Sequence, residues 1–331
     1  MPKIVRFYRL GGPEVLKFED EPSRQPGKDE VRLRVEAAGL NRAESLYFHG
    51  RYMEQPQLPS RLGYEVAGIV DAVGEGVDAR WEGRKVATMP GFSQNRYGTL
   101  GEEAIVPAHV LGEYPANLNP VQGAAIWMQY LTAWGALVHI GGVKSGDFVS
   151  IPAASSSVGL AAIQIASDAG ATAIAVTRTG AKRDELLTLG AQHVIVSQEE
   201  DYGARVQAIT GGRGVRLTFD PVGGPFVEEL TKAATPGGIV FLYGWLAAPE
   251  PTPFPLVQAL GKGLSLRGYS LLEINRDAAL AAKAKQYVYD RLADGRFTPK
   301  IAKTFSFEQT AEAYRYLESN QQVGKVVITV P

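Results

Sequence analysis

Cysteine is absent from all 331 residues. Its absence excludes disulfides, thiolate-held iron–sulfur clusters, a thiolate nucleophile and every zinc site that needs sulfur. Histidine is scarce. His49, His109, His139 and His193 stand far apart with no His-x-x-x-His pair, so each reads as a structural or surface residue and no metal is expected. Neither sign of charge is in excess: 34 Lys and Arg face 35 Asp and Glu with no long run of either sign, which removes the basic footprint of a nucleic-acid binder. No uninterrupted apolar stretch reaches the roughly 18 residues of a membrane span. Met1-Pro2-Lys3-Ile4-Val5-Arg6 runs into strand-like sequence without the apolar core of a signal peptide, so the cytoplasm is the expected location. Neither a nucleic acid nor a membrane is an expected partner.

The remaining composition is that of a globular protein, in a chain long enough for about two domains. Residues 1 to 118 are rich in short strands and turns. Glu30 to Ala37 alternates with period two, Tyr64 to Val73 reads as a strand or strand pair, and Gly74-Glu75-Gly76-Val77 is a turn. Such frequent turns suggest a barrel-like β domain. Asn119-Pro120 opens a helical stretch expected to run through Leu137.

From Gly146 the pattern changes. Strands are expected at Phe148–Ala154, Thr172–Thr177, His193–Val196, Val215–Phe219 and Gly238–Tyr243. Helices are expected at Val158–Ala169, Ala181–Leu189, Asp201–Thr210 and Pro225–Ala234. Strands alternating with helices at this spacing imply βαβ units and a doubly wound parallel sheet covered on both faces, an α/β fold. Leu264–Leu271 resembles one more strand. An amphipathic helix at Arg276–Leu292, a strand at Ile301–Phe307, a helix at Glu308–Leu317 and a strand at Val326–Val330 complete the chain.

The loop Ile151-Pro152-Ala153-Ala154-Ser155-Ser156-Ser157-Val158-Gly159 occupies the place of a dinucleotide fingerprint. Ala154 and Ser156 replace the first two glycines of GxGxxG, and Gly159 is kept. Small side chains there let backbone N–H groups at a helix start approach a pyrophosphate, and the hydroxyls of Ser155, Ser156 and Ser157 can donate to it. The plainer reading is an ordinary βα loop capped by Ser157. The second strand ends Thr177-Arg178-Thr179, with Lys182 and Arg183 following and no Asp or Glu between Ala171 and Arg183. An NAD site wants a carboxylate there for the ribose 2′-OH. A guanidinium at Arg178, helped by Lys182, suits a 2′-phosphate, so NADPH is the expected coenzyme. The alternative is a solvated basic turn.

Several segments, in order along almost the whole chain, carry a family resemblance. They are Ala37-Ala38-Gly39-Leu40-Asn41 with Glu44, Gly63-Tyr64-Glu65-Val66-Ala67-Gly68-Ile69-Val70, Gly74-Glu75-Gly76-Val77, Gly83-Arg84-Lys85-Val86, Leu131-Thr132-Ala133, Ser157-Val158-Gly159-Leu160-Ala161-Ala162-Ile163-Gln164 and Gly324-Lys325-Val326-Val327. Together they resemble the zinc-independent quinone oxidoreductases of the medium-chain dehydrogenase/reductase superfamily. The resemblance implies a GroES-like β-rich catalytic domain, a Rossmann domain inserted into it, and a coenzyme in the cleft between them. The expected divisions are 1–118 for the first part of the GroES-like domain, 119–263 for the NADP-binding domain, and 264–331 for its last strand and the return to the catalytic domain. Zinc-bearing cousins carry Gly-His-Glu where this chain has Gly63-Tyr64-Glu65, so Glu65 is expected to be a structural carboxylate. By the same resemblance, Asn41 lies near nicotinamide and substrate, and Tyr52 lines the substrate site. Thr132 lies near the nicotinamide amide, Val158 belongs to the phosphate loop, Tyr243-Gly244-Trp245 passes the nicotinamide ring, and Lys325 lies close to the coenzyme. Ser197 stands where many relatives have a Tyr near the adenosine. Asn41 as a helix cap and Tyr52 as an aromatic turn residue are the plainer alternatives.

The activity this implies is NADPH-dependent reduction of a small-molecule quinone or conjugated enone by hydride transfer without a metal. Charge settles on a distant oxygen, where a donor such as Tyr52 or Asn41 suffices. The rivals are a 2-enoyl-thioester reductase and, in a different class, a non-catalytic NADPH-binding structural protein. An apolar edge strand at Leu264–Tyr269 leads to the expectation of a homodimer.

Overall fold

Alternating segments become strands because one face of each can be buried while the other stays wet. In the computed structural model, which describes residues 1–331, the chain begins β1 (Lys3–Phe7), β2 (Lys17–Asp20), β3 (Glu30–Gly39), α1 (Arg42–Phe48), β4 (Ser60–Arg61) and β5 (Glu65–Val73). It continues β6 (Lys85–Thr88), α2 (Gln94–Tyr97), β7 (Glu103–Pro107) and β8 (Leu111–Glu113). The period-two reading of β3 is realised: Val31, Leu33, Val35 and Ala37 are fully buried. Strands β1, β2 and β4 form a small separate sheet in the order β2-β1-β4.

Asn119 caps α3 (Pro120–Gly123), accepting from Gln122 N at 3.0 Å, while Gln122 Oε1 accepts from Asn119 N at 3.1 Å. The helix expected from there to Leu137 is interrupted. α4 (Trp127–Trp134) starts afresh, because Glu65 Oε1 takes the backbone N–H groups of Ile126 and Met128, each at 3.1 Å. Gly135–Ile140 then winds as a π-helix.

Next come β9 (Phe148–Ile151), α5 (Ser157–Asp168), β10 (Thr172–Thr177), α6 (Arg183–Thr188), β11 (His193–Val196), α7 (Tyr202–Thr210) and β12 (Val215–Asp220). α8 (Val227–Lys232), β13 (Ala234–Leu242), α9 (Leu256–Lys262), β14 (Ser265–Gly268) and α10 (Leu272–Asn275) follow. The six strands are wholly parallel in the order β11-β10-β9-β12-β13-β14. This is the Rossmann order, whose direction reverses between β9 and β12, so loops at the carboxyl ends of these strands border the natural binding crevice.

The return segment is α11 (Ala278–Ala293), β15 (Ile301–Ser306), α12 (Thr310–Glu318) and β16 (Lys325–Thr329). β16 pairs antiparallel with β3, setting Ile328 opposite Ala38, and completes a seven-stranded sheet ordered β15-β16-β3-β5-β6-β8 with β7 also on β3. The chain therefore has a GroES-like β-rich domain and a Rossmann-like parallel-sheet domain. Its two compact units are Met1–Met128 with Ala278–Pro331, and Gln129–Asp277. The first division falls later than residue 118 because α3 packs on β3 and β5. The second falls after 263 because β14 extends the parallel sheet and α10 follows it. No helix is long and apolar enough to cross a membrane.

Candidate functional site

In the second unit the expected coenzyme residues gather at the carboxyl ends of the parallel strands. Ser155, Ser156, Ser157 and Val158 follow β9, Arg178 follows Thr177 at the end of β10, and Tyr243, Gly244 and Trp245 follow β13. The first helical residue is Ser157, and the cap is Ser156, whose Oγ accepts from Gly159 N at 3.0 Å; this corrects the plainer reading, which placed the cap at Ser157. The loop turns into the helix through Ala153, whose φ of 49° is left-handed. Gly159 is required by contact: a Cβ there would sit 2.6 Å from the Ala154 carbonyl oxygen. Helix α5 thus approaches the strand end as closely as a phosphate-binding turn demands.

The basic turn after β10 is divided between two roles. Lys182 Nζ donates to Ser155 Oγ at 3.0 Å, which ties the second strand's turn to the phosphate loop. Burial, and then Arg178, lower the Lys182 ammonium pKa. Arg178 itself is exposed and in no ion pair. Arg183, by contrast, is held by Glu200 at 2.7 Å. One carboxylate escaped sequence reasoning: Glu199, beyond the next strand, accepts from Gly180 N at 3.1 Å. Ser197 closes the neighbouring strand end, donating through its backbone N to Thr177 O at 2.9 Å.

Tyr243 stacks on Phe219 with ring centroids 4.0 Å apart. Its hydroxyl is buried toward Ser156 and reaches no acceptor at good hydrogen-bond geometry. Burial and then the Asp220 charge push its pKa well above the ordinary phenol value, so it stays a donor. Asp220, also missed from sequence, ends β12; its carboxylate accepts from Val222 N at 2.8 Å and Gly223 N at 3.0 Å. Burial nevertheless raises its pKa to about 6. The available signal was an acidic residue followed by Pro221-Val222-Gly223-Gly224 at a strand end. Thr132 lies buried in α4.

The first unit holds a second group of the expected residues. Asn41 caps α1, and its backbone N–H donates to Glu44 Oε2 at 2.6 Å. Its side chain is committed on both sides: Nδ2 donates to Gly39 O and Glu44 Oε1, each at 3.1 Å, and Oδ1 accepts from Lys325 Nζ at 2.7 Å. An ammonium can only donate and a carboxylate only accept, so these neighbours dictate which way the amide points. Lys325 Nζ also pairs with Glu65 Oε2 at 2.5 Å, both side chains being wholly buried. With Oε1 on two backbone N–H groups, Glu65 has both oxygens occupied. One ammonium thus faces two buried carboxylates. Glu44 is the one that yields: burial raises its carboxyl to about 7 despite Lys325 and Asn41. Tyr52 packs against the core beside Tyr64, ring centroids 6.4 Å apart, and its phenol is raised by burial and then by the Glu44 charge. Of the two candidate donors, Asn41 has both amide hydrogens in use.

Comparison with known proteins places the chain in a family. Residues 27–139 match the family described as alcohol dehydrogenase GroES-like domain, and residues 157–285 the one described as zinc-binding dehydrogenase. Human quinone oxidoreductase is 29% identical over 98% of this chain and 97% of its own length. The structure of Escherichia coli quinone oxidoreductase complexed with NADPH superposes with a TM-score of 0.90 at 28% identity, covering 99% of each chain. A structure described as an NAD-dependent alcohol dehydrogenase gives 0.89 at 31% identity over 100% of both chains. The chain belongs to the medium-chain dehydrogenase/reductase superfamily. Within that class it is quinone-oxidoreductase-like. One family description mentions zinc, yet no three His, Cys, Asp or Glu side chains come together to hold a metal ion.

Proposed function

We propose that the protein uses NADPH to reduce small quinones or conjugated enones, without a metal. The observation that carries the coenzyme reading is the exposed, unpaired Arg178 guanidinium at the end of the second parallel strand, beside a phosphate loop of small residues. Ser155, Ser156, Ser157 and Val158 would hold the pyrophosphate, with Thr177, Arg178 and Lys182 around the 2′-phosphate. Within the second unit, Thr132, Tyr243, Gly244 and Trp245 would border the nicotinamide end. The bound coenzyme supplies the hydride. The human and E. coli quinone oxidoreductases support both substrate class and coenzyme.

The chain's own contribution is a proton and a dry setting. The raised Tyr52 pKa keeps the phenol protonated through the physiological range, so it can hydrogen-bond an acceptor oxygen on which charge develops and pass it the proton. Asn41, held by Lys325 and Glu44, keeps α1 and its buried charges in register rather than donating. Glu65, saturated by Lys325 and two backbone N–H groups, favours chemistry with no Lewis acid at this position. Tyr52→Phe is expected to lower kcat/KM for a quinone by about 10²-fold, in the range of general-acid catalysis. Steady NADPH oxidation with a panel of quinones and enones, set against crotonyl thioester, tests the substrate class. No turnover with any acceptor would leave a binding protein, and preference for the thioester would move the chain to the enoyl reductases.

A further inference from the structure

A cavity of about 930 Å³ opens in the first unit between the Gly76–Trp81 turn, residues 108–113 and helix α11. None of the residues given a part in the reductase reading lines it. Its walls include Val77, Trp81 and Tyr289, and its basic groups are His109 and Lys285.

Two donors in this cavity lack the partners that their burial calls for. Trp127 lines it, is 1% exposed, and its indole N–H meets no acceptor in the chain. A buried N–H is rarely left so in a folded protein. Lys285 is half-buried and its ammonium donates only to Leu111 O, at 3.2 Å. Burial lowers its pKa and no carboxylate raises it; His109 is lowered by burial and by Lys285. Three acidic residues line the same cavity: Asp78 pairs with Arg80 at 3.4 Å and Glu113 with Arg84 at 3.7 Å, while Asp29, on the side of the Gly76 turn, is in no ion pair. Both donors converge on one stretch of backbone. A Cβ on Gly112 would lie 2.5 Å from Trp127 Cζ2 and 2.9 Å from its Nε1, so glycine lets the N–H edge of the indole pack against the residue that follows Leu111, whose carbonyl holds Lys285.

We propose that this cavity binds a small planar organic carboxylate. One carboxylate can accept from an ammonium and an indole N–H together, whereas a neutral alcohol leaves the ammonium without a counter-charge. Its flat body would lie against Trp81, Val77 and Tyr289. The volume suits a small-molecule ligand. The site stands apart from the reductase reading, since the two share no residue.

Sodium benzoate is a suitable probe, followed by NMR of the chain carrying ¹⁵N-indole labels on its four tryptophans, Trp81, Trp127, Trp134 and Trp245. The Trp127 indole resonance, identified by its loss in Trp127→Phe, is expected to move downfield and saturate, with and without NADPH. Benzyl alcohol is expected to leave it in place. Lys285→Met is expected to weaken benzoate about tenfold or more, and Lys285→Arg to retain it. An unmoved resonance, an equal response to benzyl alcohol, or undiminished benzoate affinity in Lys285→Met would overturn the proposal.

Discussion

Replacing Arg178 by alanine separates the two nicotinamide coenzymes. The guanidinium is exposed and unpaired, so its removal leaves no buried group stranded and should not disturb folding. A charge-assisted hydrogen bond contributes about 1.5–3 kcal/mol. Exposure and salt screening place Arg178 at the low end, about 1.5 kcal/mol, which is roughly tenfold in dissociation constant. The NADPH dissociation constant should therefore rise about tenfold, with NADH shifted by less than about twofold. Lys182→Met should behave differently: Lys182 braces Ser155 at 3.0 Å in the loop proposed to hold the pyrophosphate common to both coenzymes, so both should weaken. Calorimetric titration at two salt concentrations reads all of this. Salt should weaken NADPH more than NADH in the parent chain, and that difference should shrink in Arg178→Ala. An unchanged NADPH-to-NADH ratio in the variant, or NADH already the tighter ligand of the parent, would refute the assignment.

Three further expectations concern the framework. Lys325→Met leaves the wholly buried Glu65 carboxyl without its counter-charge, so urea unfolding should show a loss of about 3–5 kcal/mol, partly recovered by adding Glu65→Gln; a loss below about 1 kcal/mol would mean the pair is not buried as described. Glu44 binds its proton more tightly in the fold, at about 7 against 4.5 for an ordinary Glu, so folding takes up a proton and stability falls as pH rises across that window. The total is about 3 kcal/mol, and Glu44→Gln should flatten most of the slope between pH 5 and 8 on the same principle; an unaltered slope would locate the titration elsewhere, Asp220 being the next candidate. Finally, α9 carries exposed Leu256, Val257 and Leu260 in the connection leading to the edge strand β14, so we expect a homodimer through this face. Val257→Asp with Leu260→Asp should give a monomer by light scattering, and an unaltered mass would exclude this face.

The parallel sheet was legible because buried parallel strands are short apolar runs punctuated by glycines. Thr172–Thr177 and His193–Val196 were located to the residue. The helix after Asn119 was half legible: its cap is local, but its interruption depends on Glu65, some 60 residues earlier in the chain, taking two of its N–H groups. The same distance in sequence hides the Glu65–Lys325 pair, since nothing within either segment names the other. The resemblance brought both residues forward separately, and only β3, paired with β5 on one side and with β16 on the other, brings their segments together. Glu199 was hidden for a similar reason, being contributed by the neighbouring strand's loop rather than by the turn it touches. The Ser156 cap, one residue from the expected position, shows how a run of three serines leaves a helix start ambiguous until the loop geometry is known.

The division of the first unit between two ends of the chain bears on the order in which it is made. Synthesis proceeds from the amino terminus, so residues 129–277 are complete while the strand that closes the seven-stranded sheet is still to be translated. Until Lys325 leaves the ribosome, the carboxylate of Glu65 has no counter-ion and the interior around Asn41 cannot shut. The parallel-sheet unit would accordingly mature first, and the β unit only once residues 278–331 have been made.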